Sequence, residues 1–154
     1  MSEAGDQPAT GNQGQVRLER LYLKDVSFES PNTPETFTQT WEPQINLEIN
    51  NRSQRVGDAH YEVVLTATVT ATLGDKTAFV VEVQQAAIFA LSGLPEEVVH
   101  RAIGTVCPNT LFPYVREAVD SLVVRGGFPA LHLAPVNFDA AYADALKQQR
   151  DQAH

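Results

Sequence analysis

The chain has 154 residues, 43% of them hydrophobic, and a formal charge of −8 from 19 acidic against 11 basic side chains. That length suits a single domain with one core, while the acidic balance and the lack of any Lys/Arg cluster argue against a phosphate backbone and so against nucleic acid as partner. No apolar run approaches the roughly 18 residues of a membrane span, the polar N-terminal segment has no signal-peptide pattern, and the single Cys107 excludes an intrachain disulfide, so a cytoplasmic protein without direct membrane insertion is expected.

Met1–Gln15, rich in Gly, Gln, Asn and Thr, reads as a disordered tail before a single domain spanning 16–147. Val16–Phe28 has the character of a strand whose alternation slips: Val16 and Leu18 share one parity, Leu21 and Leu23 the other, and Val26 and Phe28 the first again. One-residue slips of this kind mark β-bulges or bends. Ser30-Pro-Asn-Thr-Pro34 is a turn-rich connection leading to Trp41. Phe37 and Trp41 in this loop either pin it to the core or line an apolar groove.

Gln44–Asn50 alternates cleanly, with Ile45, Leu47 and Ile49 on one face, and Asn50–Ala59 reads as a polar loop. Tyr61–Leu73 is the clearest strand, Gly74-Asp75 a hairpin turn, and Ala78–Leu91 the returning strand, with Phe79, Val81 and Val83 on one face and Val80, Glu82 and Gln84 on the other. Four strands joined in series by turns predict an antiparallel meander, and helices that all follow the strands predict an α+β fold.

From Pro95 onward the apolar steps are three and four residues apart and predict one long helix, ended by Gly126-Gly127 and Phe128-Pro129. Pro108 and Pro113 predict a kink or break between Cys107 and Pro113. The segment Leu111–Val124 is apolar beyond a single stripe, which predicts contact with two layers, the second being another copy of the chain. Phe128–Pro135 is an extended linker, and Asn137 caps a last helix with Phe138, Ala141, Tyr142, Ala145 and Leu146 inward. A short polar tail, 148–154, is expected after it.

These residues offer no catalytic constellation. Cys107 lies within an apolar helical pattern, as a buried inert thiol does. His60, His100, His132 and His154 fall in four different segments, without metal-ligand spacing. Glu96 and Glu97 stand at a helix start, where acids favour the dipole. No enzyme, metal or cofactor is expected. Asp25, Glu29 and Glu82 on strands either keep an exposed sheet soluble or dock a basic partner, where complementary charge steers encounter and fixes register.

Several ungapped words in one order carry a resemblance. Cys107-Pro-Asn-Thr-Leu-Phe-Pro-Tyr-Val-Arg-Glu117, Gly127-Phe-Pro and Leu133-Ala-Pro-Val-Asn-Phe-Asp139 resemble SecB, the bacterial protein-export chaperone family. So do Lys24-Asp-Val-Ser-Phe-Glu-Ser-Pro-Asn32, Tyr61-Glu-Val-Val-Leu65, Val69-Thr-Ala-Thr-Leu-Gly74 and Glu82-Val-Gln-Gln85, and together they cover roughly Val16 to Leu146. The resemblance implies a four-stranded antiparallel sheet followed by a long and a short helix, assembled as a homotetramer, a dimer of dimers. It also implies an ATP-independent holdase that delivers unfolded precursor proteins to the SecA motor. By matched motif, Asp25, Glu29, Val80 and Glu82 would form the SecA-docking surface. Val81, Val83 and Gln85 would bear on tetramer stability, joined at the interface by Val119 and Leu122 of the doubly apolar helix. Phe37, Trp41, Phe128, Leu133, Phe138 and Tyr142 would border the client groove. The runner-up is a SecB-like chaperone for another client, such as an antitoxin, and a third class is a small-ligand protein using the aromatic groove as a pocket. Only a few residues, including Arg150 and His154, follow the last helix, and whether they make the family's second, C-terminal contact to SecA stays open at this point.

Overall fold

In the computed structural model, residues 14–153 are described; of the tail expected over Met1–Gln15, residues 1–13 lie outside them, and Gln15 instead opens the first strand, where its backbone pairs opposite Ser92. Four strands, β1 (Gln15–Glu29), β2 (Gln44–Gly57), β3 (His60–Leu73) and β4 (Lys76–Ser92), form one antiparallel sheet. Three helices follow: α1 (Glu96–Gly104), α2 (Val106–Arg125) and α3 (Phe138–Gln152). The expected α+β class and element order hold.

The meander does not. Spatial order is β1-β4-β3-β2, so β1 pairs with the last strand instead of the next one, a Greek-key arrangement. Tight turns join β2 to β3 and β3 to β4, but the Ser30–Pro43 connection is long enough to carry the chain across the sheet end from one edge to the other, about 14 Å at three strand spacings. Inside that connection a single 3-10 turn, Glu35–Thr38, is fixed where the Asn32 carbonyl accepts from the Thr36 amide (2.9 Å) and hydroxyl (2.7 Å), while the Asn32 side chain donates to the Thr77 carbonyl (2.9 Å).

β1 has the two slips read from its alternation. Its pairing with β4 shifts between Leu18 and Arg20 and again between Leu23 and Asp25, leaving Glu19 and Lys24 without a β4 partner. The two bulges bring Val16, Leu18, Leu21, Leu23, Val26 and Phe28 opposite Leu91, Phe89, Ala87, Gln85, Val83 and Val81, all on one side of the sheet. β2 corrects the expected polar loop at 50–59. The strand runs on to Gly57 because pairing with β3 continues from Asn51↔Leu65 to Arg55↔Tyr61, and an edge strand can be polar on both faces when its backbone is paired.

α2 covers one face of the sheet with Cys107, Leu111, Val115, Val119 and Val123, an i, i+4 stripe that is fully buried against β3 and β4 residues such as Val63, Leu65, Val69, Phe79, Val81 and Val83. The break in the long helix falls at Thr105, just before the expected window. Pro108 has no N–H for the Gly104 carbonyl and its ring crowds it, so the helix yields one turn upstream. The freed carbonyls are taken up locally: the Thr105 hydroxyl donates to Arg101 (2.8 Å) and Asn51 of β2 donates to Ile103 (2.9 Å). Pro113 sits on the exposed side of α2, where the Asn109 carbonyl it cannot reach also lies, and the helix passes through it.

α2 ends in a Schellman motif. Gly127 takes φ 92, the Phe128 amide donates to the Val123 carbonyl (3.1 Å), and the Gly127 amide to Val124 (3.0 Å). Asn137 caps α3 as expected, its side chain accepting from the Ala140 amide (3.0 Å). The inner face of α3 is narrower than expected, Phe138, Tyr142 and Leu146 only, with Ala141 and Ala145 exposed. Its helix continues to Gln152, through most of the residues expected to form the polar tail.

Candidate functional site

The face of the sheet away from α2 is uncovered in the single chain. Residues opposite one another in antiparallel strands point to the same side, so the register defines what this face presents. Three consecutive rows across β1, β4, β3 and β2 read Glu29, Val80, Thr70, Asn46; then Ser27, Glu82, Thr68, Glu48; then Asp25, Gln84, Thr66, Asn50. Asp25, Glu29, Val80 and Glu82, widely spaced in sequence, thus occupy one patch about 14 Å long, two row spacings. Glu82 accepts from the Thr68 hydroxyl (3.0 Å). Glu48, an acid that sequence reasoning did not place here, completes its row, and the signal for it was its parity opposite to Ile45, Leu47 and Ile49.

The acids of this face fall into two groups. Glu19 pairs with Arg17 (2.6 Å) and His60 (2.9 Å), and Glu62 with Lys24 (2.9 Å). Among the described residues, no cation lies within ion-pair reach of Asp25, Glu29, Glu48 or Glu82. The patch therefore presents carboxylates that form no ion pair among the described residues, although Arg52 of β2 reaches the row of Asp25, where it donates to Gln84 (3.3 Å).

The six candidate groove residues divide along α2. Past its C-terminus, Phe128 is buried beneath Phe37 (ring centroids 5.1 Å) and Trp41 (5.2 Å), with Phe79 below it (5.1 Å) and Phe28 stacked on Phe79 (5.8 Å). Phe37 is 51% exposed and Trp41 partly so, so the loop is pinned to the core while still offering an aromatic surface. The glycine pair makes this possible, since a Cβ on Gly126 would stand 2.2 Å from the Phe28 ring and one on Gly127 3.1 Å from Phe37. Leu133 is buried along the flank of α2. Phe138 packs edge-on to Phe112 (6.2 Å), and Tyr142 lies over Gly104 with its hydroxyl 2.6 Å from His100 Nδ1. The linker between Phe128 and Phe138 therefore joins two aromatic ends about 24 Å apart, the length of α2 from Phe112 to Phe128. Asp120 of α2 steadies it, accepting from the Leu131 (2.9 Å) and His132 (3.3 Å) amides.

The model of the SecB family, described as preprotein translocase subunit SecB, matches residues 9–149. The protein-export protein SecB of Hahella chejuensis is 53% identical, covering 99% of this chain and 94% of that one, and the protein of the same name from Marinobacter nauticus is 50% identical, covering 97% and 93%. The chain belongs to the SecB family. A Mycobacterium tuberculosis SecB-like chaperone, solved in complex with a ChAD peptide from the HigA1 antitoxin, has the same fold, with a TM-score of 0.66 at 18% identity over 79% of this chain and 90% of that one.

In this SecB fold, the residues expected at a tetramer interface lie mostly inside the subunit. Val81 and Val83 are covered by α2, Val119 faces the sheet at 0% exposure, and Gln85 is buried, donating to the Tyr22 carbonyl (3.0 Å). Only Leu122 is partly exposed, on the flank of α2. The exposed large apolar side chains of these elements are instead Val106, Tyr114 and Val124 on α2 and Val16, Leu18, Leu23 and Val26 on the α2 side of β1. Adjacent apolar pairs in a helix show that two sides are apolar, not which member of each pair faces which side.

Cys107 is fully buried, and that burial pushes its thiol up to about 12, far from a reactive thiolate. His60 and His100 bond separately to Glu19 and Tyr142, the His132 ring stands 3.7 Å from the Asp120 carboxylate, and His154 lies outside the described residues. No helix among the described residues is long and apolar enough to cross a membrane.

Proposed function

We propose that this SecB-family chain is a cytoplasmic, ATP-independent holdase that keeps precursor proteins unfolded for export and hands them to SecA through the open sheet face. The observation that carries the reading is the register, which gathers Asp25, Glu29, Val80 and Glu82 from two strands into adjacent rows, with the three acids in no ion pair among the described residues. A flat acidic face with a central apolar residue suits a basic docking surface. The aromatic end at Phe37, Trp41 and Phe128, extended along the linker toward Phe138 and Tyr142, is the client side. An unfolded segment offers apolar side chains and unpaired amides, which such a surface accommodates without a fixed sequence. Release then requires a competing docking event and no hydrolysis.

Assembly into a homotetramer is supported by the unpartnered apolar residues on α2 and β1. Val81, Val83, Gln85 and Val119 would act on assembly indirectly, by holding α2 and β1 in position, while Leu122 stands nearer the contact.

The test is Glu82→Lys. Affinity for purified SecA, measured by calorimetry, falls at least tenfold, while the light-scattering mass stays near four subunits and aggregation of a diluted, denatured precursor stays suppressed. Unchanged SecA affinity would sink the docking assignment.

A further inference from the structure

The bulge at Lys24 decides which way Asp25 points. Upstream, Leu21 is fixed inward opposite Ala87; downstream, Phe28 is fixed inward by stacking on Phe79. Between these two anchors the strand must accommodate one extra residue somewhere, and within the subunit the apolar side chains there are only partly covered, Leu23 being 51% exposed and Val26 38%. With Lys24 as the extra residue, Asp25 pairs with Gln84 and faces out. Were Val26 the extra residue, Lys24 would take the place opposite Gln84 and Asp25 would turn toward α2. Glu29 is insensitive to this choice, because Phe28 holds it opposite Val80.

Within the subunit, polar contacts supply the further hold on the bulge, and four converge there. Glu62, on β3 and only 8% exposed, lies on the open face with its carboxylate accepting from both the residue before the bulge region and the unpaired residue itself. Tyr22 donates its hydroxyl to one oxygen, and Lys24 Nζ lies 2.9 and 3.0 Å from the two oxygens. Gln54 of β2 donates to the same carboxylate (3.0 Å). From the other face, Gln85 donates to the Tyr22 carbonyl. The small side chain of Ala86, which stands between Tyr22 and Val64 in the neighbouring row, leaves room for β1 side chains to cross β4. The hydrogen bonds to Glu62 hold its carboxyl below the usual range, and Tyr22 is pushed up to about 12, as expected of a carboxylate and a neutral phenol that stay locked together.

We propose that Glu62 is a positioning residue for the docking face: by gripping Tyr22 and Lys24 from β3 it fixes the bulge at Lys24 and so keeps Asp25 directed outward. This inference rests on the reading of that face as the SecA-docking surface, and it adds a residue that makes no contact with the partner.

The experiment uses the full chain with Glu62→Ala, and Lys24→Met as a milder change at an exposed side chain. SecA affinity falls about as far as in Asp25→Ala, roughly tenfold, and Glu62→Ala costs nothing further once Asp25 is already alanine. Val69→Ala, which loosens the core, lowers the melting temperature without this loss of affinity. Backbone NMR reads the cause directly: the Asp25↔Gln84 cross-strand contacts weaken in both variants and Lys24↔Gln84 contacts arise. Intact Asp25↔Gln84 pairing in Glu62→Ala or in Lys24→Met overturns the inference whatever SecA does. Loss of affinity in Glu82→Lys but not in either bulge variant also overturns it while sparing the docking reading. If Glu82→Lys binds normally, the docking reading is what fails, and the pairing measurement still decides whether Glu62 holds the bulge.

Discussion

Lys24, one of two β1 residues without a β4 partner, crosses that strand to reach Glu62 on β3, its Nζ 2.9 and 3.0 Å from the two carboxylate oxygens. The contact joins strands that share no backbone hydrogen bonds. Tyr22 reaches the same carboxylate; its hydrogen bond holds the Glu62 carboxyl below the ordinary range, while burial first and then this bond push the Tyr22 phenol up to about 12.

On the alkaline side, Tyr22 in the folded chain ionises near 12 against an ordinary value of 10.0. Its neutral form is the stabilised one, so its contribution is complete below pH 10 and is lost as pH rises from there to about 12. An absorbance titration of the wild type should show one phenol ionising last. In Tyr22→Phe that phenol is missing and stability declines less over the same interval.

On the acid side the sign reverses. Glu62 has a folded pKa below its ordinary 4.5, so its contribution is present above that value and is lost as pH falls through the folded one. Urea midpoints measured from pH 6 downward should fall less steeply below pH 4.5 in Glu62→Gln than in the wild type. Parallel curves would show that the carboxylate is not held as described.

Val119 and Val124 separate folding from assembly. Val119 is fully buried against the sheet, so Val119→Ala should cost about 2 kcal/mol in urea unfolding and Val119→Asp should prevent folding. Val124 is 55% exposed on the outer side of α2. Val124→Asp should keep the circular dichroism spectrum and thermal transition of a folded chain while lowering the light-scattering mass.

Gly104 is where α1 and α3 approach. An added Cβ would stand 2.4 Å from the Tyr142 ring, so Gly104→Ala must move that ring. Overpacking of this kind costs about 1–3 kcal/mol. Hydrogen exchange should show faster exchange confined to α3 and the end of α1, with β3 and β4 unchanged.

Glu48 extends the acidic rows to β2. Glu48→Lys should weaken SecA binding in the same direction as Glu82→Lys and by a smaller factor, because it stands two strand spacings from the β4 acid and three from the β1 acids. Binding titrations at two salt concentrations should show that the difference shrinks as ionic strength rises.

Much of the fold was legible because hydrophobic periodicity is a local signal. The parity slips at Leu18/Leu21 and Leu23/Val26 located both bulges, and the Thr/Ala/Val alternation of β3 its buried side. What the sequence did not disclose depends on partners far along the chain. Asn51–Val56 has no apolar alternation, and only the hydrogen bonds of β3 make it a strand. That β1 pairs with β4 has no trace in either strand's own residues. Pro108 announced a break but not that the Gly104 carbonyl, four residues earlier, would be the point to yield. In the candidate site, the acids of β1 and β4 were found through colinear motifs, whereas Glu48 and Glu62 emerged only once the rows were aligned. Val119 was assigned outward because an apolar pair carries no direction, and the sheet beneath it supplied one.

The strand order also sets a schedule for synthesis. β1 leaves the ribosome first, yet its only backbone partner is β4, roughly 50 or more residues further along. Until that strand is made, β1 is an extended segment with apolar side chains on one side and unsatisfied amides along both, the same chemical character as the chains a holdase retains. The hairpins β2–β3 and β3–β4 close over short turns and can form without it. Asp25 and Glu29 ride on this strand, so a newly made copy completes its acidic face only after β4 has been made.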